Sequence, residues 1–408
     1  MKVKGFFTDI GGAGRVTKAR EAAINNASAK ADPVDPIRAL ADAAHPGPRE
    51  YTLTKVYDAS PTSKTFRFEP ADGHVPVFQA GQYVNMHFQI GESVLTRAYS
   101  ISSAPCEARP GKHVSFAPDE NGTSDKPYFE ITVRKNRPYF VPDYLFEQAA
   151  VGQKFICDLP FSDFFYQPLR DSKNLMGLAG GSGITPFASM AKEIANGALD
   201  VDLTILYGSV KHTDIVCGDQ LEAARAKAPD KIHIVHIMSD DEEWDGEKGF
   251  LTKELIEKYS KEDTTYFFCG PLPMFNMLTG IMKEMGVPEK RFRHEAMQQP
   301  TNVKMIPGFP EDQIGKTYKM TVVRGIAETV ADAKADEPVA VSLERAGIPI
   351  DAHCRGGECG FCRAQLLAGT VFVSPLGDGR RREDKEMGWF HSCSAYPTSD
   401  IKVKIPII

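Results

Sequence analysis

The sequence predicts a multidomain protein in which an antiparallel β-barrel is followed by a parallel α/β domain and a smaller C-terminal α+β domain. Between residues 51 and 166, short runs alternate apolar and polar side chains and are separated by Gly and Pro, as in antiparallel strands. Between residues 171 and 296, apolar strands alternate with helical stretches, which favours a parallel sheet with crossover helices. From residue 317 onward, a hairpin-like pair of strands precedes a helix near Val339–Ala346 and a cysteine-containing loop.

The length of the chain sets the expected number of domains. With 408 residues, of which 42% are apolar, the chain can form about three domains of roughly 100 to 200 residues, each with an ordinary core. The predicted segments are an N-terminal helical extension (1–48), the β-barrel (49–168), the α/β domain (169–296), a linker (297–316) and the C-terminal domain (317–408).

The charge and the apolar patterning narrow the expected class of protein. The net charge of −6 is mild, so we expect no nucleic-acid partner. No apolar run has the length of a membrane span, and the start of the chain lacks the apolar stretch of a signal peptide. We therefore expect a cytoplasmic protein without a membrane partner. Four scattered cysteines are then expected to be free thiols, namely Cys106, Cys157, Cys217 and Cys269.

Two segments stand outside the three domain patterns. Residues 1–48 are rich in Ala and predict one or two short helices that end at a Pro- and Gly-containing break. A phosphate-binding loop at Gly11–Gly14 is an alternative, but no convincing strand precedes it. The polar stretch 106–127 is predicted to be an exposed loop, and loops of this length are often functional or mobile.

A glycine-rich turn follows the first strand of the α/β domain. The four strands predicted there are Leu175–Ala179, Leu203–Tyr207, Ile232–Ile237 and Thr265–Cys269. Gly180-Gly181-Ser182-Gly183-Ile184-Thr185-Pro186 follows the first of them, and glycines there let a helix N-terminus approach a phosphate. Pro186 stands where a G-x-G-x-x-G motif would have its last glycine. A tight strand-to-helix turn without a ligand is the alternative.

A second turn of interest, Cys269-Gly270-Pro271, ends the fourth strand. Ligands of open α/β sheets bind beyond the carboxyl ends of the strands, so Cys269 is placed where chemistry can occur. The alternative is that the thiol is a small buried apolar group, which is common for cysteine.

Within the predicted barrel, Arg97-Ala98-Tyr99-Ser100 lies at the end of a strand. An aromatic ring can cover a flavin face, a hydroxyl can hydrogen-bond to the flavin edge and an arginine can pair with a pyrophosphate. Alone, this string is short, and Arg97 could instead be a solvated strand residue.

Four cysteines near the C-terminus have the spacing C-x4-C-x2-C, thirty further residues and C. They are Cys354, Cys359, Cys362 and Cys393. This spacing is similar to that of plant-type ferredoxins, which hold a [2Fe–2S] cluster. Gly356, Gly357 and Gly360 allow the loop to fold tightly, and its N–H groups can point at the sulfurs. A structural zinc site or buried free thiols are the alternatives, although zinc sites more often pair two C-x2-C knuckles.

The order of these four motifs resembles the ferredoxin–NADP reductase superfamily. The chain is most similar to the reductases that have a flavin-binding barrel, an NAD domain and a C-terminal [2Fe–2S] ferredoxin domain of the β-grasp fold. The resemblance covers about residues 50 to 408. It implies an FAD-containing NAD(P)H oxidoreductase that passes electrons singly to an acceptor protein, commonly an oxygenase component.

The resemblance also implies roles for matching residues. Arg97 would bind the FAD pyrophosphate, Tyr99 would pack on the isoalloxazine and Ser100 would hydrogen-bond near N5. Cys269 would lie against the nicotinamide, and Glu295 matches an acidic position nearby. The remaining residues implied for the nucleotide pocket are Gly181, Gly183, Thr185, Pro186, Gly270 and Pro271, and the four C-terminal cysteines would hold the cluster.

Two departures from the family pattern affect the flavin site. Pro138-Tyr139 and Pro142 stand where many members have Gly-Gly and then Ser, and Pro142 has no N–H to offer, although proline suits a first helical turn. The family motif P-x-G-x-F appears as Pro160–Phe164 with Ser162 in place of Gly. The adenine half of FAD could therefore sit differently, and FMN remains an alternative.

The end of the second α/β strand bears on the choice of nucleotide. Residues 207–214 contain one Lys, one His and no Arg, whereas a 2′-phosphate would need a fork of basic side chains. The segment resembles the NADH-using members, with NADPH as the alternative. We expect electrons to pass from NADH through FAD and the cluster to a partner. Reverse flow from a reduced partner to NAD⁺ and a redox-sensing module with little turnover are the rival interpretations.

Overall fold

The computed structural model describes residues 6–27, 35–44, 47–112, 123–124, 126–135, 140–295 and 298–407. It divides into two units, residues 1–45 and residues 46–408. The first unit contains helices α1 (Phe6–Asn25) and α2 (Pro36–Ala44). The prediction of one or two helices is confirmed, but α1, with 20 residues, is not short. Gly11–Gly14 lies inside α1, so the alternative of a phosphate-binding loop at this position is wrong.

The second unit begins with an antiparallel sheet that closes into a barrel. Its elements are β1 (Arg49–Ser60), β2 (Ser63–Pro70), β3 (Tyr83–Ile90), β4 (Ser93–Ser100), the short pair β5 (Gly111–Lys112) and β6 (Thr123–Ser124), β7 (Phe129–Arg134), α3 (Phe140–Glu147) and β8 (Lys154–Phe161). The order is β4-β3-β8-β1-β2-β7, and a bridge between Ile101 and Ile131 joins the two ends. Alternating side chains such as Leu53, Phe66 and Phe68 point inward and are fully buried, as a period of two requires.

The polar stretch 106–127 is not an exposed loop at its start, so that prediction is wrong for its first residues. Glu107 and Ala108 are fully buried. The Glu107 carboxylate accepts a hydrogen bond from the Ala104 N–H at 2.6 Å and lies 3.8 Å from Lys192 Nζ of the α/β domain. A buried acid with these partners explains why a polar segment packs inward. Residues 113–122 and 125 lie outside the described residues.

The α/β region forms a six-stranded parallel sheet. Its elements are β9 (Asn174–Gly180), α4 (Thr185–Ala195), β10 (Asp202–Ser209), α5 (Gly218–Lys227), β11 (Ile232–Met238), β12 (Glu247–Lys248), α6 (Lys253–Tyr259), β13 (Thr264–Cys269), α7 (Leu272–Glu284) and β14 (Phe292–His294). The order β12-β11-β10-β9-β13-β14 confirms the four predicted strands. The direction of winding reverses between β9 and β13, and such a point creates a crevice at the carboxyl ends of the strands.

The C-terminal region is a mixed sheet with a helix packed on it. Its elements are β15 (Thr317–Arg324), β16 (Ala327–Lys334), α8 (Val339–Arg345), β17 (Arg363–Ala368), β18 (Val371–Val373), α9 (Arg382–Glu386), β19 (Trp389–His391), β20 (Ala395–Pro397) and β21 (Ile401–Lys404). The main sheet has the order β16-β15-β21-β17-β19, with β15 and β21 parallel. Val339 and Leu343 of α8 are fully buried in its core. The predicted hairpin and helix are both confirmed.

The cysteines and the helices bear on two expectations from composition. All eight cysteines are free thiols, which confirms the expectation for the four scattered ones. Within the part of the chain that the structure describes, no helix combines the length and the apolar character needed to cross a membrane.

Candidate active site

The crevice between β9 and β13 is built by two turns that pack backbone against backbone. A Cβ atom on Gly183 would lie 2.1 Å from the carbonyl oxygen of Cys269, so glycine is required there by the packing of the turns. Helix α4 starts at Thr185 with Pro186 in its first turn, and no side chain caps its N-terminus. Uncapped N–H groups and the helix dipole suit an anionic group such as a nucleotide diphosphate. A 3-10 turn, Gly181–Ile184, runs directly into α4, and the Thr185 N–H donates to the Ser182 carbonyl. The glycines therefore serve a tight turn that leads into the helix.

Cys269 and Glu295 lie side by side at this crevice. Strand β14 continues beside β13, and the N–H of Glu295 donates to the Phe268 carbonyl at 3.1 Å. Burial, reinforced by the nearby Glu295, raises the pKa of the Cys269 thiol. A thiol that stays protonated is suited to packing and orientation rather than to nucleophilic attack. Gly270 and Pro271 complete the turn, and Pro271 directly precedes α7.

The Glu295 carboxyl group is buried without a partner. Neither of its oxygens accepts or donates a hydrogen bond among the described residues. Burial raises its pKa to about 8, with a smaller opposing effect from the nearby Ser162 hydroxyl. Buried polar groups without partners are costly and concentrate at functional sites. Glu295, which the family resemblance assigned to the nicotinamide pocket, therefore lies at the crevice, next to Cys269.

The flavin motif lies on β4 at the edge of the barrel. Tyr99 is half-buried against the barrel core, and burial raises the pKa of its hydroxyl. Ser100 pairs with Tyr83 across the β3–β4 ladder. Arg97 is not a solvated strand residue, because its Nη1 donates to Glu344 at 3.0 Å and to the Thr96 carbonyl at 2.9 Å. Among the described residues, its Nε and Nη2 make no hydrogen bond, so these donors suit a phosphate group.

The four predicted cluster cysteines converge on one loop and its neighbour. Three of them are buried and Cys359 is exposed. Hydrogen bonding among these thiols is the main influence on their pKa values: it lowers the pKa of Cys354 and of Cys362 and raises the pKa of Cys359 and of Cys393. The N–H groups of Gly356 and Cys359 point at the Cys354 sulfur, at 3.4 and 3.5 Å.

The backbone of this loop depends on glycine. Gly357 has φ of +87°, and a Cβ atom there would lie 2.4 Å from the Gly377 carbonyl oxygen. Among the described residues, no three or more His, Cys, Asp or Glu side chains are placed to hold a metal ion, these four thiols included. The donor set, four thiols with backbone N–H groups aimed at sulfur, fits a [2Fe–2S] cluster. That assignment stays a prediction, as do those for the flavin and nucleotide residues.

Tyr83 lies between the predicted flavin strand and Phe161 of β8, and no pattern in the sequence indicated it. It is buried, and the groups that act on its hydroxyl include Glu295 of the crevice and Cys354 and Cys359 of the cluster loop. Together with burial, these groups raise its pKa. Tyr83 also pairs with Ser100, so this buried side chain lies beside the predicted flavin residues of β4.

An aromatic row connects the barrel to the cluster loop. Tyr83 stacks on Phe161, with ring centroids 5.8 Å apart. Phe161 meets the edge of His353 at 4.5 Å, and His353 stacks on Phe361 at 3.9 Å. His353 and Phe361 flank the cysteines in sequence. That proximity was the only available signal, because nothing in the sequence indicates that β3 and β8 lie against this loop.

The two departures at the flavin site have different outcomes. Pro142 lies in the first turn of α3, which confirms that proline is tolerated there, while Pro138 and Tyr139 lie outside the described residues. Ser162 has φ of +84°, the left-handed region that favours glycine. Its Oγ accepts a hydrogen bond from the Phe164 N–H at 3.0 Å. Ser162 thus adopts a left-handed backbone conformation, which usually requires glycine.

At the end of β10, basic side chains are already paired with carboxylates. Both the backbone N–H and the ring Nδ1 of His212 lie 2.6 Å from a carboxylate oxygen of Asp241. Asp214 accepts from Arg134 at 2.6 Å. Residues 240–245 include five acidic side chains. The single histidine of this segment therefore has a carboxylate partner and faces an acidic loop.

Comparison with protein-family models identifies two domains in the chain. Residues 178–279 match the oxidoreductase NAD-binding domain. Residues 323–398 match the 2Fe-2S iron-sulfur cluster binding domain, and this range includes all four predicted cluster cysteines.

Several relatives are similar along most of the chain. The glycine betaine monooxygenase reductase subunit of Chromohalobacter salexigens is 25% identical, over 88% of this chain and 95% of the relative. The ferredoxin reductase component of the 3-ketosteroid-9-alpha-monooxygenase of Mycobacterium tuberculosis is 24% identical, over 86% and 94%. In structure, the chain is similar to phthalate dioxygenase reductase, with a TM-score of 0.62, 16% identity and coverage of 88% and 98%. That likeness confirms the predicted three-part fold.

Proposed function

Because the chain belongs to the ferredoxin–NADP reductase superfamily, with a C-terminal 2Fe-2S domain, we propose that it is an NADH-dependent reductase with FAD and a [2Fe–2S] cluster. NADH would give up two electrons together as a hydride to FAD, and these electrons would then leave one at a time through the cluster to a partner protein. The observation that carries the proposal is the row of ring contacts that starts at Tyr83, the partner of Ser100 on the predicted flavin strand, and passes through Phe161 to His353, next to Cys354. Centres that exchange electrons must be close, and separate binding modules would not need this junction.

The crevice residues would hold the dinucleotide. The glycine-rich turn Gly181–Ile184 and the start of α4 would bind its diphosphate, as helix N-termini bind anions. The Cys269 thiol and the Glu295 carboxyl group would flank the nicotinamide and fix its position. Positioning of this kind can supply roughly 7–11 kcal/mol of the barrier.

The barrel and cluster residues would hold the two redox groups. Bound FAD would supply hydride acceptance and single-electron release, and the cluster would carry one electron. Tyr99 would cover the flavin ring, and Ser100 would hydrogen-bond at its edge. The free Nε and Nη2 of Arg97 would pair with the pyrophosphate. The N–H groups aimed at the Cys354 sulfur would stabilise its negative charge.

We favour NADH over NADPH on electrostatic grounds. A 2′-phosphate placed near the end of β10 would meet Asp241, which already accepts from His212, and the acidic loop 240–245. Like charges this close disfavour binding. The neutral ribose hydroxyls of NADH would not meet that repulsion.

The partner is proposed to be an oxygenase component. The named relatives are reductase components of monooxygenases, and their chains are covered almost completely by this one. Cys359 is the exposed member of the cluster cysteines, so it marks the face where a partner would receive electrons. Eight free thiols are consistent with work in the reducing cytoplasm.

The test is anaerobic reduction of the purified protein carrying its cofactors. NADH should bleach the flavin absorbance, and the electron paramagnetic resonance signal of a reduced cluster should follow. NADPH should do the same more slowly at equal concentration. A flavin that NADH leaves oxidised would favour a redox sensor, and cluster-first reduction by an artificial donor that yields NADH from NAD⁺ would favour reverse flow.

A further inference from the structure

A buried carboxylate joins the predicted flavin strand to the cluster loop. Glu344 lies on α8 of the C-terminal region, and its side chain is 1% exposed. It accepts from Nη1 of Arg97 on β4, with its two oxygens 3.0 and 3.2 Å away. It also accepts from Nη2 of Arg355, the residue that follows the first cluster cysteine. One acid thus binds two arginines that are 258 positions apart in the sequence.

Arg355 is held on the barrel by a second bond. Its Nε donates to the Thr96 carbonyl of β4 at 2.8 Å, and its side chain is almost fully buried. Its backbone has φ of +54°, a left-handed conformation that is unfavourable for a residue with a Cβ atom. Strained residues persist where surrounding contacts hold them, and they concentrate at functional sites. The side-chain bonds of Arg355 are contacts of that kind.

We propose that Glu344 is a positioning residue that fixes the cluster loop against the flavin-binding strand and thereby sets the rate of flavin-to-cluster electron transfer. The proposal rests on the proposed function and extends it to a specific interdomain contact. Arg97 would serve two partners at once, with Nη1 held by Glu344 and with Nε and Nη2 directed to the flavin pyrophosphate. Flavin binding and docking of the cluster domain would therefore reinforce each other.

The charges explain why Glu344 matters more than an ordinary ion pair. Without its carboxylate, two guanidinium groups would face each other in a buried position with no anion between them. Uncompensated buried charge is strongly unfavourable, so the contact would open. Other contacts hold this loop elsewhere: the Gln299 side chain donates to the Gly356 carbonyl at 3.0 Å, the His353 ring packs on Phe161 of β8, and neither contact involves β4. The distance between flavin and cluster would then be less well defined.

The kinetic test compares Glu344→Gln with wild type by anaerobic stopped flow. We expect flavin reduction by NADH to stay within about twofold, because Glu344 does not touch the crevice. Flavin-to-cluster transfer should slow by roughly tenfold or more, since misplacement by about 1 Å can cost on the order of 100-fold. The matched control is Glu337→Gln, which removes a carboxylate paired with Arg345 inside the C-terminal region, and it should transfer electrons at the wild-type rate.

A second readout needs no turnover. Hydrogen exchange of the cofactor-loaded protein, without NADH, should show faster exchange in Glu344→Gln at residues 355–357 and 96–98, and no change in Glu337→Gln. Arg355→Lys keeps the charge but cannot bond to Glu344 and Thr96 together, so it should show the same pattern. Unchanged exchange, or unchanged flavin-to-cluster transfer, would overturn the proposal. If NADH fails to reduce wild-type flavin, the proposed function fails, and the exchange data still decide whether Glu344 anchors the loop.

Discussion

The nicotinamide crevice and the flavin–cluster junction are built in different ways. The crevice is made of two turns, one after β9 and one after β13, and each is formed by residues that are adjacent in the sequence. The two backbones contact each other at Gly183 and Cys269. The junction is made of side chains from distant segments, such as Tyr83, Glu344 and Arg355. A site encoded by local turns leaves a motif in the sequence, whereas a site assembled by domain packing does not.

This difference has a functional consequence. The crevice and the cluster loop each depend mainly on their own segment, so each should tolerate damage to the other. The junction depends on both and should determine how fast they communicate. Variants can therefore separate the three parts.

The largest effect is expected from Cys359→Ser. Loss of one thiolate ligand should abolish the iron–sulfur absorbance and reduction of any acceptor that needs the cluster. Reduction of a two-electron dye by NADH should stay within about twofold, because the crevice and barrel are separate from the loop. Metal analysis, visible spectra and dye assays check this, with Cys106→Ser as a control that keeps the cluster. Loss of dye reduction while FAD stays bound would show that the parts are not separable.

A smaller effect is expected at the crevice from Cys269→Ala. The thiol is buried and protonated, so it orients the nicotinamide rather than binding it tightly. We expect flavin reduction to slow by about 10- to 100-fold, equivalent to about 1.4 to 2.7 kcal/mol, with little change in the dissociation constant of NADH. Stopped-flow reduction at several NADH concentrations separates the two quantities. Cys157→Ala, which removes a buried thiol from the barrel, should leave the rate unchanged, and a change in the dissociation constant alone would contradict the orienting role.

The sequence predicted the elements that carry local patterns. The four α/β strands, the C-terminal hairpin and helix, and the convergence of the four cysteines all follow from periodicity or spacing. It did not predict that Glu107 is buried, because the acid lies 3.8 Å from Lys192 on α4, a residue 85 positions away in the sequence. Nor did it predict that Arg97 pairs with Glu344, since no local pattern relates two positions 247 residues apart. Long-range partners of charged groups depend on domain packing.

The pH dependence of stability tests the burial of Glu295. Its pKa is raised to about 8 in the folded protein, above its ordinary value of 4.5, so the folded chain keeps a proton that the unfolded chain releases. Stability should therefore fall as pH rises from about 4.5 through about 8. Glu295→Gln removes the titrating group, so its stability should not fall over this pH range. At pH 9 its free energy of unfolding should exceed that of wild type by roughly 1–3 kcal/mol, and its melting temperature by several degrees, whereas at pH 5 no such gain is expected. The control Glu284→Gln, at an exposed position on α7, should show no such dependence on pH. If the difference in melting temperature between Glu295→Gln and wild type did not change with pH, the carboxyl group of Glu295 would be solvated.

The smallest effect is expected from Ser162→Gly, which restores the glycine of the family motif. The left-handed backbone of Ser162 costs about 1–2 kcal/mol, whereas glycine gives back about 0.5–1 kcal/mol through its greater freedom in the unfolded chain. Ser162→Gly also loses the hydrogen bond from the Phe164 N–H, which offsets part of the remaining stabilisation. We therefore expect the free energy of unfolding to rise by at most about 1 kcal/mol, as measured by thermal melts. Ser162→Ala keeps the strain and loses the bond, so it should be less stable than wild type. Because the Ser162 hydroxyl lowers the pKa of Glu295, both variants should move the pH-dependent loss of stability to higher pH, which would connect this turn of the barrel directly to the crevice.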